Sequence, residues 1–207
     1  MNSVCHYSRP VALLHGLLWL VCLAATPCQA DVLNISVKGV KEPMLGNVQS
    51  RVSTLAINDK QTRSRKRLDR VATEAGQEAV LALRPYGYYH ATVSSDLQQQ
   101  KDGDWLLSLQ LTAGPPLKVS LVDIRLSGPG AELEELQEWQ RNWPMPVGKR
   151  LNQVSWETQK GRALELAESH GYLAAQFTRH EIRADLDHNT AELELHLETG
   201  PQAVMGE

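Results

Sequence analysis

The sequence has 207 residues, of which 42% are hydrophobic, 22% are charged and 5% are aromatic. This length allows one medium domain or two small ones. The formal net charge of −3 argues against a general nucleic-acid-binding protein, because such a protein needs a net positive surface to bind phosphates.

The first 30 residues have the layout of a secretory signal peptide. They contain one basic residue, Arg9, no acidic residue, and an apolar, leucine-rich run at residues 11–25. This run of about fifteen residues is shorter than the roughly twenty that a helix needs to cross a bilayer. We predict cleavage between Ala30 and Asp31. An uncleaved membrane anchor and a lipoprotein at Cys28 are the alternatives.

All three cysteines, Cys5, Cys22 and Cys28, lie in this leader. We therefore expect the exported chain to have no disulfide, no thiol nucleophile and no cysteine metal site. Removal of Arg9 leaves 20 of the 21 basic residues against 24 acidic ones, a net charge of about −4. An exported protein without disulfides fits the periplasm of a bacterium and must be stabilised by packing alone.

An internal repeat follows the leader. The glycine-tyrosine step at Gly87 recurs 84 residues later at Gly171, and the Gly-Pro step at Gly114 recurs 86 residues later at Gly200. This period is typical of a small domain and too long for a solenoid repeat. We predict two domains, at residues 31–114 and 117–201, with the start of a truncated further unit at 202–207.

The first domain is predicted to follow the order β-α-α-β-β. A strand of alternating apolar residues at 33–37 precedes two helices. The second helix, whose apolar stripe has i, i+3 and i+4 spacing, ends near Gly87. A second strand is expected from about Tyr88 to Leu97, a turn at Asp102-Gly103 and a third strand after it. The predicted core positions are Leu33, Ile35, Val37, Leu45, Val48, Val52, Leu68, Val71, Ala72, Ala75, Ala79, Trp105, Leu107, Leu109 and Leu111.

The second domain repeats this order. Its first strand carries Val122, Ile124 and Leu126, and a short acidic helix ends before the Trp143-Pro144-Met145-Pro146 segment. A longer helix begins near Asn152 and buries Trp156, Ala163, Leu164 and Ala167. In the third strand Ala191, Leu193, Leu195 and Leu197 alternate with Glu192, Glu194, His196 and Glu198. The charged face is predicted to be solvated, so helices cover one side of the sheet only.

A β-α-α-β-β unit of this size, with a glycine-aromatic step after its second helix, resembles a POTRA domain. The segments Arg84-Pro85-Tyr86-Gly87-Tyr88-Tyr89 and Glu168-Ser169-His170-Gly171-Tyr172 are similar to those of the TamA family. Members of this family form the outer-membrane subunit of the translocation and assembly module. The resemblance implies an α+β fold of two tandem POTRA-like domains, each a three-stranded mixed sheet with two helices on one face. That family continues with a third POTRA domain and a membrane barrel, and this sequence contains neither.

The resemblance places the second strand of each sheet at an open edge, which can accept an extended peptide as an additional strand. The alternative is that the tyrosines pack against the helix end and the edges stay solvated. The predicted protein-binding residues are Tyr88, Tyr89, His90, Ala91, Thr92 and Val93 in the first domain, and Tyr172, Leu173, Ala174, Ala175, Gln176 and Phe177 in the second.

A second candidate surface is a basic patch at the start of the second helix. Arg63, Arg67 and Arg70 share one helix face by their spacing, although cations there oppose the helix dipole. We expect contact with an acidic partner or with anionic lipid headgroups. A plain solvated helix surface is the alternative.

No catalytic residues, metal ligands or cofactor-binding motif are predicted. The Gly128-Pro129-Gly130 segment is too short for a phosphate loop, and proline removes a donor. The segment from Asp185 to Asn189 begins like a calcium loop, but Thr190 stands where glycine is needed, so we predict a hairpin turn. His170, His180, His188 and His196 lack the spacing of paired zinc ligands.

We therefore expect a non-enzymatic periplasmic binding and scaffold module of a protein anchored in the outer membrane. Its expected clients are unfolded outer-membrane or autotransporter β-barrel proteins. The resemblance implies docking to a TamB-like, inner-membrane-anchored partner. The alternatives are the periplasmic region of a two-partner-secretion transporter, a passive periplasmic spacer and, from another class, a periplasmic hydrolase.

Overall fold

The computed structural model describes residues 32–57, 64–101 and 103–203. The predicted signal peptide, its cleavage site at Ala30 and Asp31, Asp102 of the predicted turn and residues 204–207 lie outside these ranges. In chain order the elements are β1 (Leu33–Lys38), α1 (Met44–Ile57), α2 (Arg65–Leu81), a 3-10 turn (Arg84–Tyr86), β2 (Thr92–Gln99), β3 (Trp105–Thr112), β4 (Lys118–Ser127), α3 (Glu134–Arg141), α4 (Gln153–Ser169), β5 (Gln176–Asp185) and β6 (Thr190–Glu198).

The strands form two three-stranded mixed sheets of the same topology. In the first unit, β3 lies in the middle, parallel to β1 and antiparallel to β2. In the second unit, β6 lies in the middle, parallel to β4 and antiparallel to β5. This arrangement confirms the predicted α+β fold with two tandem β-α-α-β-β units.

The core of the first unit is mainly aliphatic. Leu107, Leu109 and Leu111 of β3 are at most 2% exposed, because the middle strand is shielded by a neighbour on each side. The apolar stripe of α2, predicted from its spacing, faces them through Leu68 and three buried alanines. Alanine side chains let this helix lie close to the sheet.

The core of the second unit contains three indole rings. Trp139 of α3 contacts Trp143 edge-to-face at 5.6 Å between ring centroids, and Trp143 contacts Trp156 of α4 in the same way at 5.9 Å. Helix α3 ends at Arg141, as the following prolines predicted. The proline-flanked segment therefore leaves the helix and adds buried side chains, Trp143 and Met145, to the core.

The outer face of the second sheet differs from the prediction of a solvated surface. Glu194 of the central strand is only 9% exposed. Arg179 and Arg183 reach across from β5 and form ion pairs with its carboxylate. The prediction is wrong at this position because long side chains of an edge strand cover the middle strand between them.

The two units have separate hydrophobic cores, one drawn from residues 33–111 and the other from residues 117–197. Tyr89 is an exception, since it follows α2 in the first unit but packs against the core of the second. The units are therefore in side-chain contact as well as linked through the chain.

Candidate functional site

The second strand of each unit lies at an open sheet edge. Within the described part of the chain, neither β2 nor β5 makes a backbone hydrogen bond on the side that faces away from the middle strand. Along an antiparallel edge strand, alternate residues direct their N–H and C=O groups outward. Each of these strands therefore presents a row of backbone donors and acceptors that another chain can pair with.

The outer edge of β4, by contrast, is partly covered by the segment at residues 148–151. The amide of Val119 donates to the carbonyl of Lys149 at 2.8 Å, and the amide of Leu151 donates to the carbonyl of Leu117 at 2.9 Å. The start of this edge is thus already paired within the protein.

One groove runs beside the outer edge of β2, and another runs beside the outer edge of β5. The α2–β2 groove has a volume of about 540 Å3 and is lined by Thr73, Gly76, Gln77 and Val80 of the helix and by Val93 and Ser95 of the strand. The α4–β5 groove has a volume of about 480 Å3 and lies between Lys160, Gly161 and Leu164 of the helix and Phe177 and His180 of the strand. The same feature thus occurs at the same place in both units.

Each groove has a glycine in the middle of its helix. Gly76 in α2 and Gly161 in α4 stand 85 residues apart, close to the period of the repeat. A Cβ atom at Gly76 would lie 3.3 Å from Cγ1 of Val93, whereas a Cβ atom at Gly161 would meet nothing within 4 Å. Neither glycine belongs to the repeat motifs of the sequence, and the offset of 84 residues between Gly87 and Gly171 pairs Gly76 with Lys160 instead.

The two edges differ in their suitability for strand pairing. All eight residues of β2 pair in continuous register with β3, and Asp96 is its single ionisable residue. Strand β5 has a register shift between Phe177 and Arg179 and carries several charged residues along its length. Bulges and charges are the devices by which natural edge strands avoid pairing. The β2 edge is therefore the more accessible of the two.

The structure corrects the predicted start of the second strand. Tyr88, Tyr89, His90 and Ala91 precede β2, which begins at Thr92. Gly87 takes a left-handed conformation with φ of +85° and turns the chain away from the helix end. Of the predicted edge residues in this unit, only Thr92 and Val93 belong to the strand.

The residues that precede β2 form a joint with the second unit. The Tyr88 hydroxyl accepts a hydrogen bond from Arg150 at 2.9 Å, and the Arg150 guanidinium lies 5.3 Å from the centre of the Tyr88 ring. The Tyr89 hydroxyl accepts a hydrogen bond from Gln153 at 2.6 Å. We call this contact region the joint. It consists of Gly87, Tyr88, Tyr89 and His90 on one side and of Leu117, Arg150, Leu151, Gln153 and Leu186 on the other.

Backbone groups also take part in the joint. The amide of Leu117 donates to the carbonyl of Gly87 at 2.8 Å, and the ring of His90 hydrogen-bonds to the carbonyl of Leu186 at 2.9 Å. Leu117 directly precedes β4, where the chain enters the second unit, and Leu186 lies in the turn between β5 and β6. The joint therefore constrains the orientation of one unit against the other.

The corresponding residues of the second unit have other roles. Tyr172 is buried against Gly130, and the amide of Ala175 donates to the carbonyl of Tyr172 in a turn. Leu173 and Ala174 are exposed in that turn. Strand β5 starts at Gln176, so Gln176 and Phe177 are the predicted edge residues that lie in the strand.

The basic patch is only partly described. Arg63 lies outside the described residues, while Arg67 and Arg70 are exposed on the first turns of α2. Arg65 forms an ion pair with Asp69 at 3.1 Å and lies over the ring of Trp105. Binding of an acidic partner or of lipid headgroups by this patch stays a prediction.

The segment at residues 185–189 is a hairpin turn between β5 and β6. The Asp185 carboxylate accepts hydrogen bonds from the amides of Asp187 and His188 at 3.1 Å each. Its hydrogen bond with the His188 ring holds the pKa of Asp185 below the usual value. Across residues 32–57, 64–101 and 103–203, no group of three or more histidine, cysteine or carboxylate side chains is placed to bind a metal ion.

None of the helices described is both long enough and apolar enough to cross a membrane.

Comparison with known proteins finds a family model that matches the first unit. Residues 34–113 match the family model described as "POTRA domain TamA domain 1". The chain is similar to POTRA domains 3–5 of Haemophilus influenzae BamA, with 13% identity and a TM-score of 0.43 over 84% of this chain and 67% of that one. POTRA domains 1–2 of the periplasmic domain of Omp85 from Anabaena give 14% identity and a TM-score of 0.32 over 86% and 96%. CdiB from Escherichia coli is 16% identical, with a TM-score of 0.32 over 90% of this chain and 29% of that one.

Proposed function

Because residues 34–113 match a TamA-type POTRA domain model, we propose that the protein is a non-enzymatic periplasmic binding and scaffold module of an outer-membrane assembly and secretion factor. Its function is to hold extended segments of unfolded, β-rich client proteins before they enter the outer membrane. The sequence of the leader supports the periplasmic location.

The observation that carries this proposal is the open β2 edge beside the α2–β2 groove. A client segment that adds to β2 as a fourth strand pairs its backbone with the outward groups of β2. Every second side chain of the added strand then points toward the helix side and enters the groove. Backbone pairing tolerates many sequences, which suits a module that receives different clients.

The helix glycine of the α4–β5 groove supports a role for that groove. A glycine in a helix interior costs about 1 kcal/mol of stability relative to alanine. At Gly161 nothing within 4 Å requires the absence of a side chain. Gly161 therefore adds no stability to the fold. Its missing side chain leaves space in the groove for the side chains of a bound segment.

Of the two edges, β2 is the proposed primary site. It has continuous register and one ionisable residue, while β5 has a register shift and charged side chains. The α4–β5 groove is proposed as a secondary site, for client segments whose backbone can pair with β5 despite the register shift between Phe177 and Arg179. A TamB-like, inner-membrane-anchored protein is proposed as a further partner of the module.

A passive spacer is the second candidate function, because the joint constrains the orientation of the two units. A spacer needs a fixed orientation but no open edge. The two candidates therefore differ in whether blocking β2, with the fold and the joint intact, abolishes the function.

Two proline variants of the full protein, Ser94→Pro and Ser95→Pro, test the proposal. These residues are neighbours in an edge strand, so the amide of one faces β3 and the amide of the other faces outward. Proline at the inward position removes a ladder hydrogen bond and lowers the melting temperature, while proline at the outward position leaves the ladder intact. Thermal unfolding therefore identifies the outward variant directly.

The probe is a fluorescent decapeptide of alternating valine and threonine, and its binding is followed by fluorescence anisotropy. We expect the outward proline variant to keep the melting temperature of the unmodified protein and to lose about fivefold in affinity, since it removes one outward donor and a hydrogen bond contributes roughly 1 kcal/mol. Unchanged affinity in that variant contradicts strand addition at β2 and favours the spacer.

A further inference from the structure

A second cleft lies where the α2–β2 groove reaches the joint. This joint cleft has a volume of about 510 Å3 and is lined by Asn47 and Arg51 of α1, Arg84 and Pro85 of the 3-10 turn, Tyr89 and Gln153. Gln153 belongs to α4, so both units contribute to the walls.

The joint cleft is positively charged. Two arginines line it, and no aspartate or glutamate does. Arg51 forms an ion pair with Glu78 of α2 at 3.4 Å. Arg84 is exposed and lies 5.9 Å from the centre of the Tyr89 ring, and it forms no ion pair with any residue in the described ranges. Its guanidinium therefore keeps its five donors for an outside acceptor.

The two cavities share part of their walls. Leu81 and Arg84 line both the α2–β2 groove and the joint cleft. Helix α2 ends at this point, and β2 begins close to it, after the joint residues. A strand added to β2 in the antiparallel direction therefore runs toward the joint cleft, and a parallel one runs away from it.

We propose that the joint cleft binds the acidic side chains of the extended polypeptide that the α2–β2 groove holds, with Arg84 as the principal contact. The inference rests on the proposed strand addition and adds a preference to it. Guanidinium and carboxylate groups match in geometry and can form two parallel hydrogen bonds. The favoured occupant is thus an extended segment with aspartate or glutamate at the end that reaches the joint.

The cleft adds little affinity for a neutral segment, but it selects among clients and sets their direction. Because Arg84 is exposed, its ion pair with a carboxylate is partly screened and contributes a modest factor. The contribution therefore appears as a ratio of affinities between acidic and neutral segments, and it decreases as salt concentration rises.

Four peptides test this inference with the full protein. Each contains the same alternating valine-threonine decapeptide and an amidated C-terminus. One has two glutamates after the decapeptide, one has them before it, one has two glutamines after it, and one has two lysines after it. A fifth peptide, with glutamines and a free C-terminal carboxylate, shows whether a terminal carboxylate can replace the side chains.

We expect one of the two glutamate peptides to bind about threefold to fivefold more tightly than the glutamine peptide at low salt, and the lysine peptide to bind more weakly. In Arg84→Gln this ratio should fall to about one. The matched control is Arg141→Gln, which removes an exposed arginine at the end of α3 that lines neither cavity and should preserve the ratio.

Equal affinities of the glutamate, glutamine and lysine peptides contradict this inference and leave strand addition standing. A glutamate preference that persists in Arg84→Gln also contradicts it, because the acidic residues then bind elsewhere. Failure of all peptides to bind contradicts strand addition itself and this inference with it.

Discussion

The joint can be tested by adding one methyl group to Gly87. This residue has φ of +85°, and its carbonyl accepts the hydrogen bond from the amide of Leu117. A Cβ atom there would lie 2.5 Å from the carbonyl oxygen of Leu151, which belongs to the second unit. Gly87→Ala therefore forces the two units apart.

Gly171→Ala is the matched control. Gly171 has the same φ of +85°, and its carbonyl accepts a hydrogen bond from the amide of Ala203 at 2.7 Å. The nearest atom to an added Cβ, however, is Cγ of Gln202 at 3.4 Å, which is ordinary contact distance. The two variants share the strain of a left-handed alanine and differ in the clash with the other unit.

The strain common to both variants is about 1–2 kcal/mol. In Gly87→Ala the carbonyl of Leu151 must also move by more than half an ångström, roughly, to reach a normal contact distance. We expect that movement to break the two hydrogen bonds of the joint beside Leu151, those that join Leu117 to Gly87 and Arg150 to Tyr88, each of which contributes about 1 kcal/mol. We expect Gly87→Ala to lose about 2 kcal/mol more unfolding free energy than Gly171→Ala.

Urea unfolding followed by tryptophan fluorescence measures this difference. Double electron–electron resonance between two spin labels, one on each unit, measures the distance between the units and so reports on their relative orientation. The distance distribution should stay narrow in Gly171→Ala and broaden in Gly87→Ala. Equal losses of stability and equal distributions in the two variants would show that the joint does not hold the units together.

Three further predictions follow from single contacts. Gly161→Ala should raise the free energy of unfolding by about 0.5–1 kcal/mol in a urea titration, because its Cβ meets nothing and alanine favours the helix; a loss of stability contradicts the open groove. Glu194→Gln should cost about 1–3 kcal/mol by the same measurement, since it leaves two arginines without their buried partner, while the exposed Glu181→Gln, which contacts the same arginines, should cost under about 0.5 kcal/mol. The hydrogen bond from Arg125, aided by that from His196, holds the pKa of Asp123 below its usual value of 3.8. The stabilisation that the ionised Asp123 carboxylate contributes is therefore present above pH 3.8 and is lost as the pH falls through the lowered pKa. The melting temperatures of the protein and of Asp123→Asn should differ at neutral pH and converge in acid.

The repeating units were predictable because they rest on local patterns. The alternation of Leu107, Leu109 and Leu111, and the helical stripe of α2, appear in the sequence at the spacing that the structure uses. Each pattern identifies its own element without knowledge of the rest of the chain. The double occurrence of the glycine-tyrosine step then supplied the tandem organisation.

The joint was not predictable, because its partners are far apart in sequence. Tyr88 and Tyr89 follow a glycine and have high strand propensity, so the local pattern favours a strand. Their hydrogen-bond donors are Arg150 and Gln153, which are 62 and 64 residues later in the chain. No spacing rule connects these residues, and tertiary contact overrides the local preference.

The burial of Glu194 was missed for a different reason. Alternation of apolar and charged residues predicts which side chains share a face, but it does not show whether that face belongs to a middle or an edge strand. Strand β6 lies in the middle, so arginines from β5 cover it. The position of a strand in the sheet decides how exposed its side chains are, and the sequence of a single strand does not give that position.

The central claim is that β2 accepts a polypeptide as an additional strand, and residue-resolved amide hydrogen exchange by NMR tests it most directly. With the valine-threonine decapeptide at saturation, the outward amides of Thr92–Gln99 should exchange at least about tenfold more slowly, while the inward amides, already bonded to β3, should change little. Binding of the peptide with unchanged exchange along β2, and with new protection elsewhere in the protein, would contradict the claim.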